Sequence, residues 1–142
     1  MVAGHSASGS DPIVYVDRSD VLEGHLDELK AGIRALIAFV DAQQPQMATY
    51  GFYLDEEANQ MTVVSVHPNS ASLERHAEIG GPEFRKLAPF ITLREIEVFG
   101  RLSVRATELV RRKAAALGDG GTVTFHEQFA GFARLPVPDE QD

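Results

Sequence analysis

The sequence has 142 residues, of which 44% are hydrophobic and 24% charged, and it carries a formal net charge of −8 with no cysteine. This length fits one domain, and the proportions are ordinary for a globular protein. An acidic surface repels phosphate backbones, and no apolar run approaches the roughly 18 residues of a membrane span. We therefore expect no nucleic-acid partner and no membrane association. The lack of cysteine excludes disulfides and thiolate nucleophiles and is compatible with a cytoplasmic protein.

The two ends of the chain differ in composition from the part between them. Residues 1–11 are small and polar and lack the apolar core of a signal peptide, which predicts a disordered leader. Residues 136–142 are acidic and contain proline, which predicts a flexible tail. We expect a single domain over residues 12–135, made of a core (12–100) and a C-terminal extension (101–135).

The first predicted elements are a strand and a long helix. The β-rich residues after Pro12 predict a strand from Pro12 to Arg18. Asp20 stands three residues before Glu23, which is the spacing of a capping box and predicts a helix start. Apolar residues then recur at steps of three and four up to Pro45, which ends a helix of about five turns: Leu22, Leu26, Leu29, Ile33, Leu36, Ile37 and Val40.

A hairpin follows, with strands Met47–Leu54 and Met61–His67 around a polar turn. If Leu54 faces Met61, the cross-strand pairs are Phe52 with Val63, Tyr50 with Ser65 and Ala48 with His67. Because strand side chains alternate, all of these lie on one face of the sheet. The other face also carries apolar and aromatic side chains, namely Tyr53, Val64 and Val66.

A short helix and a fourth strand come next. Ser70 or Ser72 is placed to cap the helix, and two glycines from Gly80 onward end it. Residues Ile91–Phe99 predict the strand. Its apolar phase changes between positions 93 and 96, which indicates a bulge or a strand covered on both faces.

The C-terminal extension predicts a third helix and a fifth strand. Ser103 caps the helix, Gly118 closes it, and a glycine-rich turn leads into the strand Thr122–Gln128. The basic residues gather around this helix, and we interpret them as a solvated face with cations near the helix C-terminus: Arg101, Arg105, Arg111, Arg112 and Lys113.

The order strand, helix, strand, strand, helix, strand predicts an α+β fold of ferredoxin-like type with an appended helix and strand. Both helices of this pattern cover the same face of the sheet. The second face carries too many apolar side chains to stay in water, and a second copy of the chain is the simplest cover. We therefore expect a homodimer.

The run from Tyr50 to Phe84 resembles the antibiotic biosynthesis monooxygenase-like domain of the dimeric α/β-barrel superfamily. The resemblance is carried by the strand Thr49–Tyr53, the polar turn after it, and the residues Ser72–His76 leading to Pro82–Phe84. It covers residues 12–100. It implies a dimeric α/β barrel, a ligand cavity on the sheet face turned away from the helices, and oxidation of a small aromatic or hydrophobic molecule without metal or flavin.

The sequence departs from this family at the end of the third strand. Ser65 and His67 stand where family members often carry Glu and Trp, and the chain has no Trp. This departure argues against heme degradation and leaves the reaction open. We expect no bound metal, since the sequence has no Cys, no His-x-His and no helical Glu-x-x-His pair. The resemblance implies a reaction without a cofactor, so we expect no cofactor either.

His67 and His76 are the candidate catalytic residues, because imidazole titrates near neutral pH and can take a phenolic proton as general base. The candidate ligand-binding residues are Tyr50, Phe52, Ser65 and Arg85. Competing interpretations place His67 at a strand end near solvent, His76 on an exposed helix surface, and the two aromatic residues in simple packing.

Three functions fit the sequence. The first is a homodimeric, cofactor-independent monooxygenase. The alternative is a non-catalytic dimer that binds a small molecule or serves as an interaction domain, and the third is an isomerase or decarboxylase on the same scaffold.

Overall fold

The computed structural model describes residues 11–135, so the predicted tail and nearly all of the predicted leader lie outside the described residues. None of the helices in this part is both long and apolar enough to cross a membrane. The elements in chain order are β1 (Ile13–Val21), α1 (Leu26–Gln43), β2 (Thr49–Asp55), β3 (Gln60–His67), α2 (Ser70–Ile79), α3 (Gly81–Phe84), a 3-10 helix (Arg85–Phe90), β4 (Ile91–Phe99), α4 (Val104–Leu117) and β5 (Gly118–His126).

The sheet has five strands in the order β2-β3-β1-β4-β5. The first four strands pair antiparallel in the ferredoxin-like arrangement. β5 adds at the edge parallel to β4, and α4 provides the crossover that a parallel pair needs. The predicted α+β, ferredoxin-like fold with an appended helix and strand is confirmed, while the dimeric barrel stays a prediction.

The predicted helix start at Asp20 is wrong. Asp20 lies in β1, where it pairs with Gln60 of β3 on one side and with Thr92 of β4 on the other. A strand paired on both sides gains several ladder hydrogen bonds, which together exceed the roughly 1 kcal/mol of one helix cap. The chain turns at Gly24, whose φ of 87° favours glycine, and α1 begins at Leu26.

Two other helix and strand ends also differ from the prediction. Asn69, rather than either serine, caps α2: its side chain accepts a hydrogen bond of 2.9 Å from the backbone N–H of Ser72. β5 begins directly at Gly118 because this residue already pairs with Leu93 of β4. By contrast, the Ser103 cap is confirmed.

The predicted irregularity in β4 is confirmed as a bulge. The register with β1 shifts between Arg18 and Ser19, opposite residues 93–95. The shift brings Leu93 and Ile96 to the same buried face, although an even strand would place them on opposite faces.

The hairpin register is confirmed in the structure: Leu54 pairs with Met61, Phe52 with Val63, and Tyr50 with Ser65. The resemblance implied a ligand cavity, and with it these candidate residues, on the sheet face turned away from the helices. This is wrong, because the residues lie on the face that the helices cover. Phe84 and Leu87 pack against this face. The buried side chains of α1 pack there too, namely Leu29, Ile33, Leu36 and Val40. We call this covered side the helix face and the other side the open face.

Candidate functional site

A cavity of about 320 Å³ lies on the helix face between α2, α3 and α4. Its apolar lining includes Leu73, Phe84, Leu109, Val110 and Leu117. Its polar lining consists of Tyr15, His76, Glu78, Arg85, Arg112 and Lys113. A mainly apolar wall with a few polar groups in a space of this size suits a small organic ligand.

His76 of α2 lines this cavity, and its ring is held from several sides. Its Nδ1 lies 2.8 Å from Oε1 of Gln44 at the end of α1. The Gln44 oxygen can only accept, so Nδ1 carries the hydrogen and Nε2 of the neutral ring keeps a free lone pair. Burial, followed by the charges of Lys113 and His67, lowers the pKa of His76 to about 3. His76 is therefore a neutral proton acceptor at pH 7.

His67 has a different environment, at the end of β3. It is fully buried, with 0% of its surface exposed, so its interpretation as a strand end near solvent is wrong. Its Nε2 lies 3.1 Å from Oγ of Ser65, and its Nδ1 lies 2.9 Å from Oγ of Ser72. Burial lowers the pKa of His67 to about 4. Both ring nitrogens are thus occupied, and the contacts join β3 to the first turn of α2.

The aromatic candidates form a wall behind His76. The Tyr50 ring meets the His76 ring edge-on at a centroid distance of 4.9 Å and the Phe52 ring at 5.1 Å. Phe52 in turn lies 6.2 Å from Phe84, which lines the cavity. Tyr50 therefore supports His76 from outside the cavity and is itself supported by Phe52, whereas the exposed Arg85 lines the cavity itself.

A buried polar cluster beside the cavity was not found by sequence reasoning. Asp17 of β1 is 0% exposed, and its Oδ2 accepts hydrogen bonds from the Tyr15 hydroxyl at 2.6 Å and from Nζ of Lys113 at 3.0 Å. Burial, followed by the charge of Asp17, raises the pKa of Tyr15. The interpretation of the basic residues as one solvated face is wrong for Lys113, whose side chain is only 23% exposed.

The positions of Asp17 and Lys113 in the apolar pattern of the sequence indicate that both side chains are buried. Asp17 shares the strand phase of Ile13, Tyr15 and Val21, which places it on the apolar side of β1. Lys113 falls between Val110 and Leu117 at steps of three and four, so it belongs to the apolar stripe of α4. A charged residue that keeps the phase of an apolar face predicts a buried, paired charge.

The position of the His76 ring depends on Gly80. A Cβ added at Gly80 would lie 3.0 Å from Cε1 and 3.1 Å from Nδ1 of His76. We expect Gly80→Ala to displace the ring and break its hydrogen bond to Gln44. The measurement is the NMR signal of the Nδ1 hydrogen, which should shift or vanish. Gly81→Ala is the matched control, because its Cβ would meet nothing within 4 Å; an unchanged spectrum in Gly80→Ala would contradict this packing.

The described fold resembles several solved structures. MupZ from Pseudomonas fluorescens matches with a TM-score of 0.67 and 19% identity over 87% of this chain and 94% of MupZ. SnoaB, a cofactor-independent oxygenase from Streptomyces nogalater, matches with a TM-score of 0.54 and 20% identity over 66% of this chain and 97% of SnoaB. A protein from Caulobacter crescentus that is named as an antibiotic biosynthesis monooxygenase matches with a TM-score of 0.58 and 17% identity over 67% of this chain and 93% of its own.

This chain shares the fold of these three proteins. The resemblance found in the sequence between residues 12 and 100 is therefore confirmed at the level of the fold. No family model matches the sequence, and no curated protein sequence matches it. The match to MupZ covers 87% of this chain, whereas the segment from β1 to β4 makes up less than two thirds of it. The likeness to MupZ therefore continues into α4 and β5.

Proposed function

We propose that this protein is a cofactor-independent monooxygenase that binds a small aromatic molecule in the cavity between α2 and α4. The observation that carries the proposal is the state of His76, a neutral imidazole that lines an apolar cavity and keeps one nitrogen unprotonated. SnoaB, which shares the fold at 20% identity, is a cofactor-independent oxygenase, and this supports the same reaction class.

In the proposed reaction His76 removes the phenolic proton of the ligand through Nε2. The phenolate ring that results is electron-rich and reduces dioxygen itself. With 1-naphthol as substrate, naphthol and dioxygen give 1,4-naphthoquinone and one water. The ring carbon opposite the hydroxyl loses its hydrogen and gains one oxygen atom, and the second oxygen atom leaves as water. Both reducing equivalents come from the substrate, so the balance requires no other reductant.

The other candidate residues have supporting roles in this proposal. Tyr50 holds the His76 ring by an edge contact, Phe52 packs against Tyr50, and Arg85 contributes a cation at the cavity. Ser65 and His67 fix the start of α2, the helix that carries His76. We therefore assign the base to His76 and a positioning role to His67.

Oxygen consumption tests the proposal directly. The purified protein is first analysed by mass spectrometry for a bound aromatic molecule, and dioxygen uptake is then followed with 1-naphthol and with the molecule found. We expect one dioxygen consumed per quinone formed, unchanged by a metal chelator. Uptake no faster than in buffer with either compound would refute the monooxygenase proposal.

One observation favours a second candidate function. A histidine whose pKa lies at about 3 is a weak base, and general bases work best when their pKa lies near the operating pH. This favours a non-catalytic domain that binds its aromatic ligand without converting it. Such a protein would release the ligand unchanged and consume no dioxygen, which separates the two candidates in the same experiment.

We propose that the open face of the sheet pairs with a second copy of the chain. Val14, Val16, Val64 and Val66 alternate with the buried residues on β1 and β3 and are only partly covered. Large apolar side chains near this face remain exposed: Tyr53 at 60% and Phe99 at 38%. Phe129 and Phe132 of the segment after β5 are exposed at 102% and 78%, and both border a groove with Val14 and Val66.

Sedimentation at micromolar concentration should give about twice the mass of one chain. Val64→Glu places a charge in the middle of the open face, and we expect it to shift the protein to the monomer. Val104→Glu is the matched control, because Val104 is 90% exposed at the start of α4. A wild-type protein that sediments as a monomer would remove the proposed pairing.

A further inference from the structure

We propose that Lys113 is the anion-binding residue of the cavity, and that the ligand carries an ionised oxygen, as a phenolate or a carboxylate, on a flat apolar body. The inference rests on the proposed function in that it places the ligand in the same cavity. It adds the chemical class of that ligand and a residue that recognises it.

The ammonium group of Lys113 lies beside two aromatic rings at the cavity. Lys113 lines the cavity, and its Nζ lies 3.8 Å from the ring centroid of Phe84 and 4.9 Å from that of Tyr15. These aromatic faces attract the cation and keep it away from bulk water. An ammonium group has three N–H donors, and Asp17 Oδ2 is its only hydrogen-bond acceptor among residues 11–135. Two donors are therefore left for a ligand.

The counter-ion of Lys113 is buried outside the cavity. Asp17 fixes the position of Nζ of Lys113 by a contact of 3.0 Å, but the carboxylate is 0% exposed and does not line the cavity. The Tyr15 hydroxyl also donates to it and disperses its charge. A ligand in the cavity therefore contacts the cation directly and reaches the anion only through Lys113. This arrangement favours a negative group at the ligand position.

The remaining charged residues of the cavity lining are mainly cationic. Arg85 and Arg112 add two cations, whereas Glu78 is the only carboxylate among the lining residues of the described chain. Glu78 is already paired with Arg105 at 3.2 Å, and both side chains are about half exposed. The formal net charge of the chain is −8, yet the charged residues around this apolar cavity are mostly cationic. Such a local field attracts anionic ligands.

Lys113 is favoured over the two arginines as the recognising group. Arg112 is 64% exposed and pairs with Glu108 at 3.5 Å, and Arg85 is exposed at the cavity edge. Solvent screens interactions of such exposed charges. The ammonium of Lys113 is better shielded, so its hydrogen bond to an ionised oxygen contributes more to binding.

The test compares two probes of equal shape, 2-naphthoate and the neutral 2-naphthamide, by calorimetry at pH 7 under nitrogen. We expect the wild-type protein to bind the carboxylate about tenfold more tightly than the amide, or better. Lys113→Met should bind both probes equally, with the amide affinity unchanged. Because this variant leaves Asp17 unpaired, the double variant Asp17→Asn/Lys113→Met is measured beside it.

Lys86→Met is the matched control, since Lys86 is 71% exposed and pairs with Glu83 outside the cavity; it should keep the full preference. Equal affinity of the wild-type protein for both probes, binding of neither, or a preference that survives in the double variant would overturn the inference. The outcome is independent of turnover. A preference for the carboxylate without oxygen uptake refutes only the monooxygenase, and uptake without the preference refutes only the anion site.

Discussion

Replacing His76 with glutamine should slow oxygen uptake with 1-naphthol by about 100-fold or more, because a positioned general base contributes about that much to a rate. Glutamine keeps a polar side chain of similar size in the space beside Tyr50 and Gly80. The folded state should therefore persist, which circular dichroism checks. The measured quantity is kcat, since the proton is removed only in the bound complex.

His67→Gln is the decisive comparison for this assignment. His67 does not line the cavity, and both of its ring nitrogens contact serine hydroxyl groups. We expect this variant to lower the free energy of unfolding while kcat changes by less than about tenfold. His25→Gln controls for loss of a histidine elsewhere, because His25 lies before α1 and pairs with Glu28. A variant set in which His67→Gln loses uptake and His76→Gln retains it would reverse the two roles.

The parts of the fold that sequence predicted well are those fixed by neighbouring residues. The hairpin pairs Tyr50 with Ser65 as predicted. The turn between the two strands is short and the side chains of each strand alternate between the two faces, so only one register keeps Met61 and Val63 on the same face as their partners. The Ser103 cap was predicted for the same reason, since a cap and its helix are local in the chain. Local patterns of this kind depend on no distant partner.

The errors come from pairings between distant segments. The spacing of Asp20 and Glu23 is a good local signal for a helix start, but β4 lies about 70 residues away and draws Asp20 into the sheet. The hairpin is apolar on both faces, so composition did not show which face the helices cover. Packing of the α1 stripe on Met61 and Val63 decides this, and it is a tertiary contact.

The candidate site was predicted only in part, because some of its residues meet through contacts between distant segments. The predicted candidates His76 and Arg85 both line the cavity, and His76 was predicted because the resemblance pointed to the second helix. Asp17 and Lys113 are separated by 96 positions and meet only because α4 crosses over the sheet between β4 and β5. Their apolar phase showed that each would be buried, but it did not show that they would be partners.

The Asp17–Lys113 pair should also dominate the stability of this part of the core. Lys113→Met leaves a fully buried carboxylate without its counter-ion, and breaking a buried pair in this way costs about 3–5 kcal/mol. The free energy of unfolding from urea titration measures this loss. Asp17→Asn/Lys113→Met removes both charges together and should recover most of it, since an amide can still accept the Tyr15 hydrogen bond.

The exposed control Lys86→Met should change the free energy of unfolding by less than about 0.5 kcal/mol. If Lys113→Met were equally mild, the contact of the ammonium with Asp17 would contribute nothing measurable to folding, and this prediction would be wrong. If instead the double variant is as stable as the wild type but no longer prefers the carboxylate probe, the pair contributes to ligand recognition rather than to folding. That combination is the one expected of a charge retained in the core for its function.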